Sequence, residues 1–132
     1  MSLFDSRSAG VSIPLTSLRS ERDWGVGDFA DISAFAAWMR SAGLRDLALL
    51  PLTECALGQE SPYAALSAFA LDPLLISLEG VEDFRAIGGI DALFSEQREE
   101  IEHLRAAPRV QHGPIRRLKM HALRKAHRHF SS

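Results

Sequence analysis

The chain has 132 residues, of which 46% are hydrophobic and 24% charged, and its net charge is −2. That is the length and composition of one ordinary globular domain, which excludes disordered, collagen-like and low-complexity classes. It also excludes a complete eight-stranded barrel, which takes roughly 200 residues or more, and no apolar run reaches the roughly 20 residues of a membrane span.

Taken in chain order, Met1 to Arg7 has no apolar core of signal-peptide length and carries an early acid, which predicts a cytoplasmic protein. Gly10 to Leu18 alternates apolar and polar positions and reads as a strand, with Pro14 at an end or edge because it lacks an amide donor. The polar stretch Arg19 to Gly27 reads as a loop. Asp28 is placed to cap a helix running to about Ser41, with Phe29, Ile32, Phe35, Ala36 and Met39 on one face and Gly43 as its left-handed stop.

Asp46 to Leu52 is a short apolar run containing Pro51, the pattern of a strand buried on both faces. Strand, helix and strand in that order predict a parallel βαβ unit. A loop from Thr53 to Pro62, a short helical piece around Tyr63 to Ala70 and an extended segment from Asp72 to Leu78 follow. Two helices close the chain: Asp91 to Ala107, with Ile90, Leu93, Phe94, Ile101 and Leu104 as its stripe, and Ile115 to Phe130, with Ile115, Leu118, Ala122, Leu123, Ala126 and Phe130.

The near-neutral total hides a split. Up to Glu102 there are 17 acidic and 7 basic residues; from His103 onward there are 8 basic residues, no acid and all five histidines. Such an asymmetry suits either a nucleic-acid arm or a terminal helix packed on an acidic body, and the apolar stripe in the same segment favours the packed helix. Cys55 is the sole cysteine, so neither an intramolecular disulfide nor a cysteine-based zinc site is possible. The histidine spacings do not put ligands on one side of a helix, since His127 and His129 lie about 200° apart around it, and no metal or cofactor is expected.

Gly25-Val26-Gly27-Asp28-Phe29-Ala30 fits the dinucleotide pattern G-x-G-x-x-A before a helix. Asp23 and Asp28 would repel phosphates there, so a tight turn needing glycine dihedrals is the preferred reading. The more informative stretch is the second strand and the loop beyond it, with Glu54 and Ser61-Pro62-Tyr63 to Pro73. A loop leaving the C-terminal end of a parallel strand is where barrel enzymes place their sites. An aromatic ring fixed by a preceding proline can stack on a sugar while nearby hydroxyls and carboxylates take its hydroxyl groups.

These residues, with others in order, resemble the 4-α-glucanotransferases (amylomaltase, disproportionating enzyme; glycoside hydrolase family 77). The matching segments are Pro14-Leu15-Thr16-Ser17-Leu18, Trp24-Gly25-Val26-Gly27-Asp28, Trp38-Met39-Arg40-Ser41-Ala42-Gly43, Leu49-Leu50-Pro51 and Ser61-Pro62-Tyr63 to Pro73. The closing Leu118-Lys119, Ala122-Leu123-Arg124, Ala126 and Phe130 also look like a helix of the family.

The resemblance implies the N-terminal portion of a modified (β/α)8 TIM barrel, α/β in class, that moves α-1,4-glucan segments between maltooligosaccharides. Residues 1–80 would form the βαβ unit and sugar-contacting loop, and residues 81–132 a helical insertion. The family works by a retaining double displacement with an Asp nucleophile, a Glu acid/base and a second, stabilising Asp. These come from later barrel strands, so none maps onto this sequence, and Asp28, Glu54, Glu60, Asp72 and Glu79 do not substitute for them. The resemblance carries over Tyr63 as a sugar-contacting residue, with Ser61 and Asp72 as neighbours; Asp72 stands where the family commonly has Asn.

The expectation is an N-terminal glucanotransferase piece, either a truncated product or half of a split enzyme, that binds glucan weakly and is inactive alone. Two parallel strands with open edges and an uncovered apolar face predict self-association, a partner chain or marginal stability. The alternatives are a binding module whose basic C-terminal helix contacts nucleic acid or another acidic partner, and an inactive regulator docking on a complete glucanotransferase.

Overall fold

The computed structural model describes residues 7–56, 58–59 and 61–131. The reading of Met1 to Ser6 and the position of Glu60 lie outside these residues. Strand β1 (Gly10–Ile13) pairs in parallel with β2 (Asp46–Leu49), with Gly10 opposite Asp46 and Ile13 opposite Leu49. Helix α1 (Asp31–Ser41) connects them, so the expected βαβ unit is present.

Both strands are shorter than the pattern predicts. β1 ends before Pro14, which has no amide to donate, and the chain turns at once into a 3-10 turn over Leu15–Ser17. β2 is not buried on both faces: Leu47 and Leu49 are half-buried while Asp46 and Ala48 are exposed. Ile32 and Phe35 of α1 pack with Ile13 and Leu49 in a cluster around Leu15, Leu18 and Leu75, while the other face of the sheet lies open.

α1 starts at Asp31 rather than directly after Asp28, and Asp28 is not its cap. The Asp28 carboxylate accepts the amide of Ala30 at 3.0 Å, and Asp31 in turn accepts the amide of Asp28 at 2.8 Å. These bonds close a separate turn before the helix. The helix stops where expected, at Gly43 with φ +74°.

The predicted helical piece at residues 63–70 is absent. Ser61 Oγ accepts from the amide of Tyr63, Ser67 Oγ accepts from the amide of Phe69, and antiparallel bridges join Thr53 to Leu71 and Cys55 to Ala65. Hydroxyl side chains that take nearby amides compete with a helical ladder. The segment after Asp72 is not extended either. The Asp72 carboxylate accepts the amide of Leu74 at 2.8 Å and Pro73 opens a 3-10 turn over Pro73–Leu75, with a second over Leu78–Gly80.

Helix α2 (Glu82–Ala86) is too short to show a period in sequence. The helix expected from Asp91 is divided into a 3-10 turn over Gly89–Ala92 and α3 (Ser95–Ala106), with Leu93 and Phe94 extended between them. α4 (His112–Phe130) begins three residues early, its first turn admitting Pro114 because that position needs no amide donor. The main core lies among these helices: Phe84, Leu93, Ile101, Leu104, Ile115, Leu118, Ala122 and Ala126 pack with Trp24, Val26, Leu74 and Leu78. Trp24 meets Phe84 edge to face at 6.0 Å between ring centroids.

Candidate functional site

The turn Asp23 to Asp28 is a buried knot. The Asp23 carboxylate accepts from Arg19 Nε at 2.7 Å and from the amides of Ser20 and Gly25 at 2.8 and 2.7 Å. Burial alone would raise the pKa of this carboxyl, but the Arg19 bond and the two amides outweigh it and hold it below its ordinary value. Gly25 has φ +91°, and a side chain at Gly27 would put Cβ 2.4 Å from the carbonyl oxygens of Leu15 and Leu18. The glycine pair therefore serves close packing; backbone fills the space a pyrophosphate would need.

A second buried charge ties this turn to the terminal helix. Lys119 is 1% exposed. Its Nζ donates to the carbonyls of Leu74 and Ile76 at 2.8 and 2.9 Å and lies 3.5 Å from the Asp28 carboxylate. Burial pushes the pKa of its ammonium down, against support from Asp28, Asp31 and Asp23.

β1 and β2 run in parallel and both discharge into one cavity of about 260 Å³, so it lies at their carboxyl ends. Leu15, Leu52 and Leu75 supply apolar lining, and Thr53, Asp72 and Arg116 supply polar groups, with the first turn of α4 forming one side. Arg116 is the polar centre. Its Nη2 donates to Asp72 Oδ2 at 2.6 Å and its Nη1 to Glu54 Oε1 at 3.2 Å. The two carboxylates thus converge on one guanidinium.

The three expected sugar-contacting residues fall in two places. Asp72 is in the cavity lining with its carboxylate engaged by Arg116 and by the amide of Leu74. Ser61 and Tyr63 share one turn beside Pro62, which reaches the cavity lining, while Tyr63 is 72% exposed. Cys55 is a free thiol donating to the carbonyl of Ser61 at 3.2 Å, which helps fix that turn. Farther along the same loop Leu66, Phe69 and Leu71 are also exposed, Phe69 almost completely. Sequence reading missed Arg116, which is one cation among many in the basic segment and belongs to no local motif.

The basic segment is packed on the acidic body: Arg117 pairs with Glu100, His129 with Asp83, and Lys125 donates to the carbonyl of Ala92 while lying over the Phe94 ring. Among the described residues no cluster of His, Cys, Asp and Glu could hold a metal ion, and no helix is long and apolar enough to cross a membrane.

A family model described as 4-alpha-glucanotransferase matches residues 13–132. The 4-alpha-glucanotransferase DPE2 of Oryza sativa subsp. japonica is 36% identical over 81 residues, covering 58% of this chain and 9% of that protein. The 4-alpha-glucanotransferase of Chlamydia pneumoniae is 28% identical over 116 residues, covering 87% of this chain and 21% of that protein. The crystal structure of amylomaltase from Corynebacterium glutamicum superposes with a TM-score of 0.78 at 25% identity, covering 92% of this chain and 18% of that one. The chain thus spans only a small part of the length of each of these proteins.

Proposed function

Because the chain belongs to the 4-alpha-glucanotransferase family, we propose that it is the N-terminal part of a (β/α)8 barrel that transfers α-1,4-glucan segments, and that its own contribution is glucan binding. The supporting observation is the convergence of both strand ends on one cavity with the Ser61–Tyr63 turn at its border. That is the end of a parallel sheet at which barrel enzymes bind substrate. In this reading Tyr63 offers its ring to the face of a sugar, and Ser61 and Asp72 are polar neighbours.

The isolated chain binds maltooligosaccharides weakly and transfers nothing. Retaining transfer needs a nucleophilic carboxylate and an acid/base carboxyl roughly 5 Å apart across the scissile bond. Asp72, which lines the cavity, and Glu54 are instead drawn to a single guanidinium between them. The open face and edges of the two-stranded sheet suit coverage by the remaining barrel units, on the same or a partner chain, or by a second copy. The alternative of a basic helix docking on an acidic partner is less well supported, because Arg116, Arg117, Lys119 and His129 already face acids of the chain itself.

Titration of the chain with maltoheptaose, followed by amide chemical shifts, tests this reading. Saturable shifts in residues 61–72 that need several-fold more sugar in Tyr63→Ala are expected, and the absence of any shift at millimolar sugar would overturn glucan binding. Incubation with maltotriose is expected to yield no glucose or longer oligomers; their appearance would refute inactivity.

A further inference from the structure

Four large side chains of the loop beyond β2 do little to hold it down. Tyr63, Leu66, Phe69 and Leu71 are 60–96% exposed, so burial of apolar surface contributes little to fixing the loop. Its backbone is held, among the described residues, by a short set of bonds: Glu54 donates to Ala70 and Asp72 to Leu52, making one isolated bridge, Leu66 donates to Glu54 and Ala56 to Ala64, making the other, and Gln59 donates to Ala56 and Ala64 to Ser61 within turns. Yet an aromatic platform binds sugar only if it stands still, since ordering a loop on binding subtracts from affinity.

We propose that Arg116 is the positioning residue for this loop. It approaches from α4, outside the loop, and grips both of its stems: Glu54 where the chain leaves β2, and Asp72 where the chain returns. This side-chain clamp reinforces the backbone bonds that already join the two stems and further restricts the segment between them. The guanidinium side chain is 19% exposed and that of Asp72 11%, so solvent and salt screen this half of the clamp less than a surface pair, whereas Glu54, at 38%, is held more weakly. Arginine suits the task because its planar fork offers separate nitrogens to two carboxylates, whereas a lysine ammonium is a single point. Arg116 thereby acts on glucan through Tyr63. The inference rests on the glucan-binding reading above.

The test uses the full chain, maltoheptaose as probe and the variants R116Q, R116K, Y63A and R116Q with Y63A. In R116Q the amides of Glu54, Leu66 and Asp72 are expected to exchange faster while the core amides of α3 and α4 keep their protection. Glucan affinity is expected to fall roughly three- to tenfold, with partial recovery in R116K. In the Y63A background R116Q is expected to cause no further loss, a coupling that a merely structural role would not produce. Unchanged loop exchange, or faster exchange with unchanged affinity, would overturn the proposal. So would equal losses in the presence and absence of Tyr63. Failure of the unsubstituted chain to bind maltoheptaose would instead reject the glucan reading, and the positioning role with it. Should R116Q lose protection throughout α3 and α4, R116K supplies the same comparison with the charge retained, and unchanged loop exchange and affinity there would count against the clamp.

Discussion

Lys119 donates its buried ammonium to the carbonyl oxygen of Leu74 at 2.8 Å, joining the middle of α4 to the turn that follows the candidate sugar loop. The same nitrogen serves Ile76 and faces Asp28. Replacement by methionine preserves bulk and removes every donor. Two carbonyls and a carboxylate would lose a partner in a dry environment, so Lys119→Met is expected to destabilise the fold by about 2–4 kcal/mol. Urea unfolding followed by tryptophan fluorescence measures this directly, and a neutral or stabilising result would show that the neighbouring groups find other partners.

Gly27→Ala tests the close approach of the turn to the first strand's exit. The added methyl meets two backbone oxygens rather than a flexible side chain, so the backbone itself must move. A loss of ~3 kcal/mol in unfolding free energy is expected. Gly43→Ala makes the contrasting control: no atom crowds that position, although its positive φ penalises any side chain.

Acid sensitivity should trace in part to Asp23. Its folded pKa lies below the ordinary value of 3.8, so the folded state holds this proton less readily than the unfolded chain. Its stabilising contribution is therefore complete above the unfolded value and is lost as pH falls from there through the lowered folded value. Asp23→Asn is expected to be less stable than the parent at neutral pH, with the difference shrinking below about pH 4. Thermal unfolding of both proteins from pH 7 to pH 3 checks the convergence.

Where a segment's signal was local, the sequence revealed it. The alternation before Pro14, Ile32, Phe35 and Met39 of the α1 face, the stop at Gly43 and Ile115, Leu118, Ala122, Leu123 and Ala126 of the α4 stripe correspond to elements of the structure, whereas Phe29, Ala36, Phe94 and Phe130, expected on the same apolar faces, are exposed. Errors arose where side chains compete for amides. Asp28, Ser61, Ser67 and Asp72 each take a nearby backbone N–H, and three of these bonds lie where regular helix or extended chain was expected. The carboxylate clamp was illegible for a different reason: Arg116 stands 62 positions from Glu54 and 44 from Asp72, separations that no short motif spans. Lys119 was likewise hidden, since a charged residue within an otherwise basic helix reads as solvent-facing.

The main core is built from α2, α3, α4, the Trp24 turn and the turns carrying Leu74 and Leu78, whereas the described residues of the loop carrying Tyr63 contribute none of its buried side chains. In the proposed reading, stability and glucan recognition thus fall to different stretches of polypeptide. On that reading, substitutions at the tip would reshape what is recognised without eroding the chassis beneath, and would give evolution, or an engineer, a place to vary carbohydrate preference while the rest of the architecture stays intact.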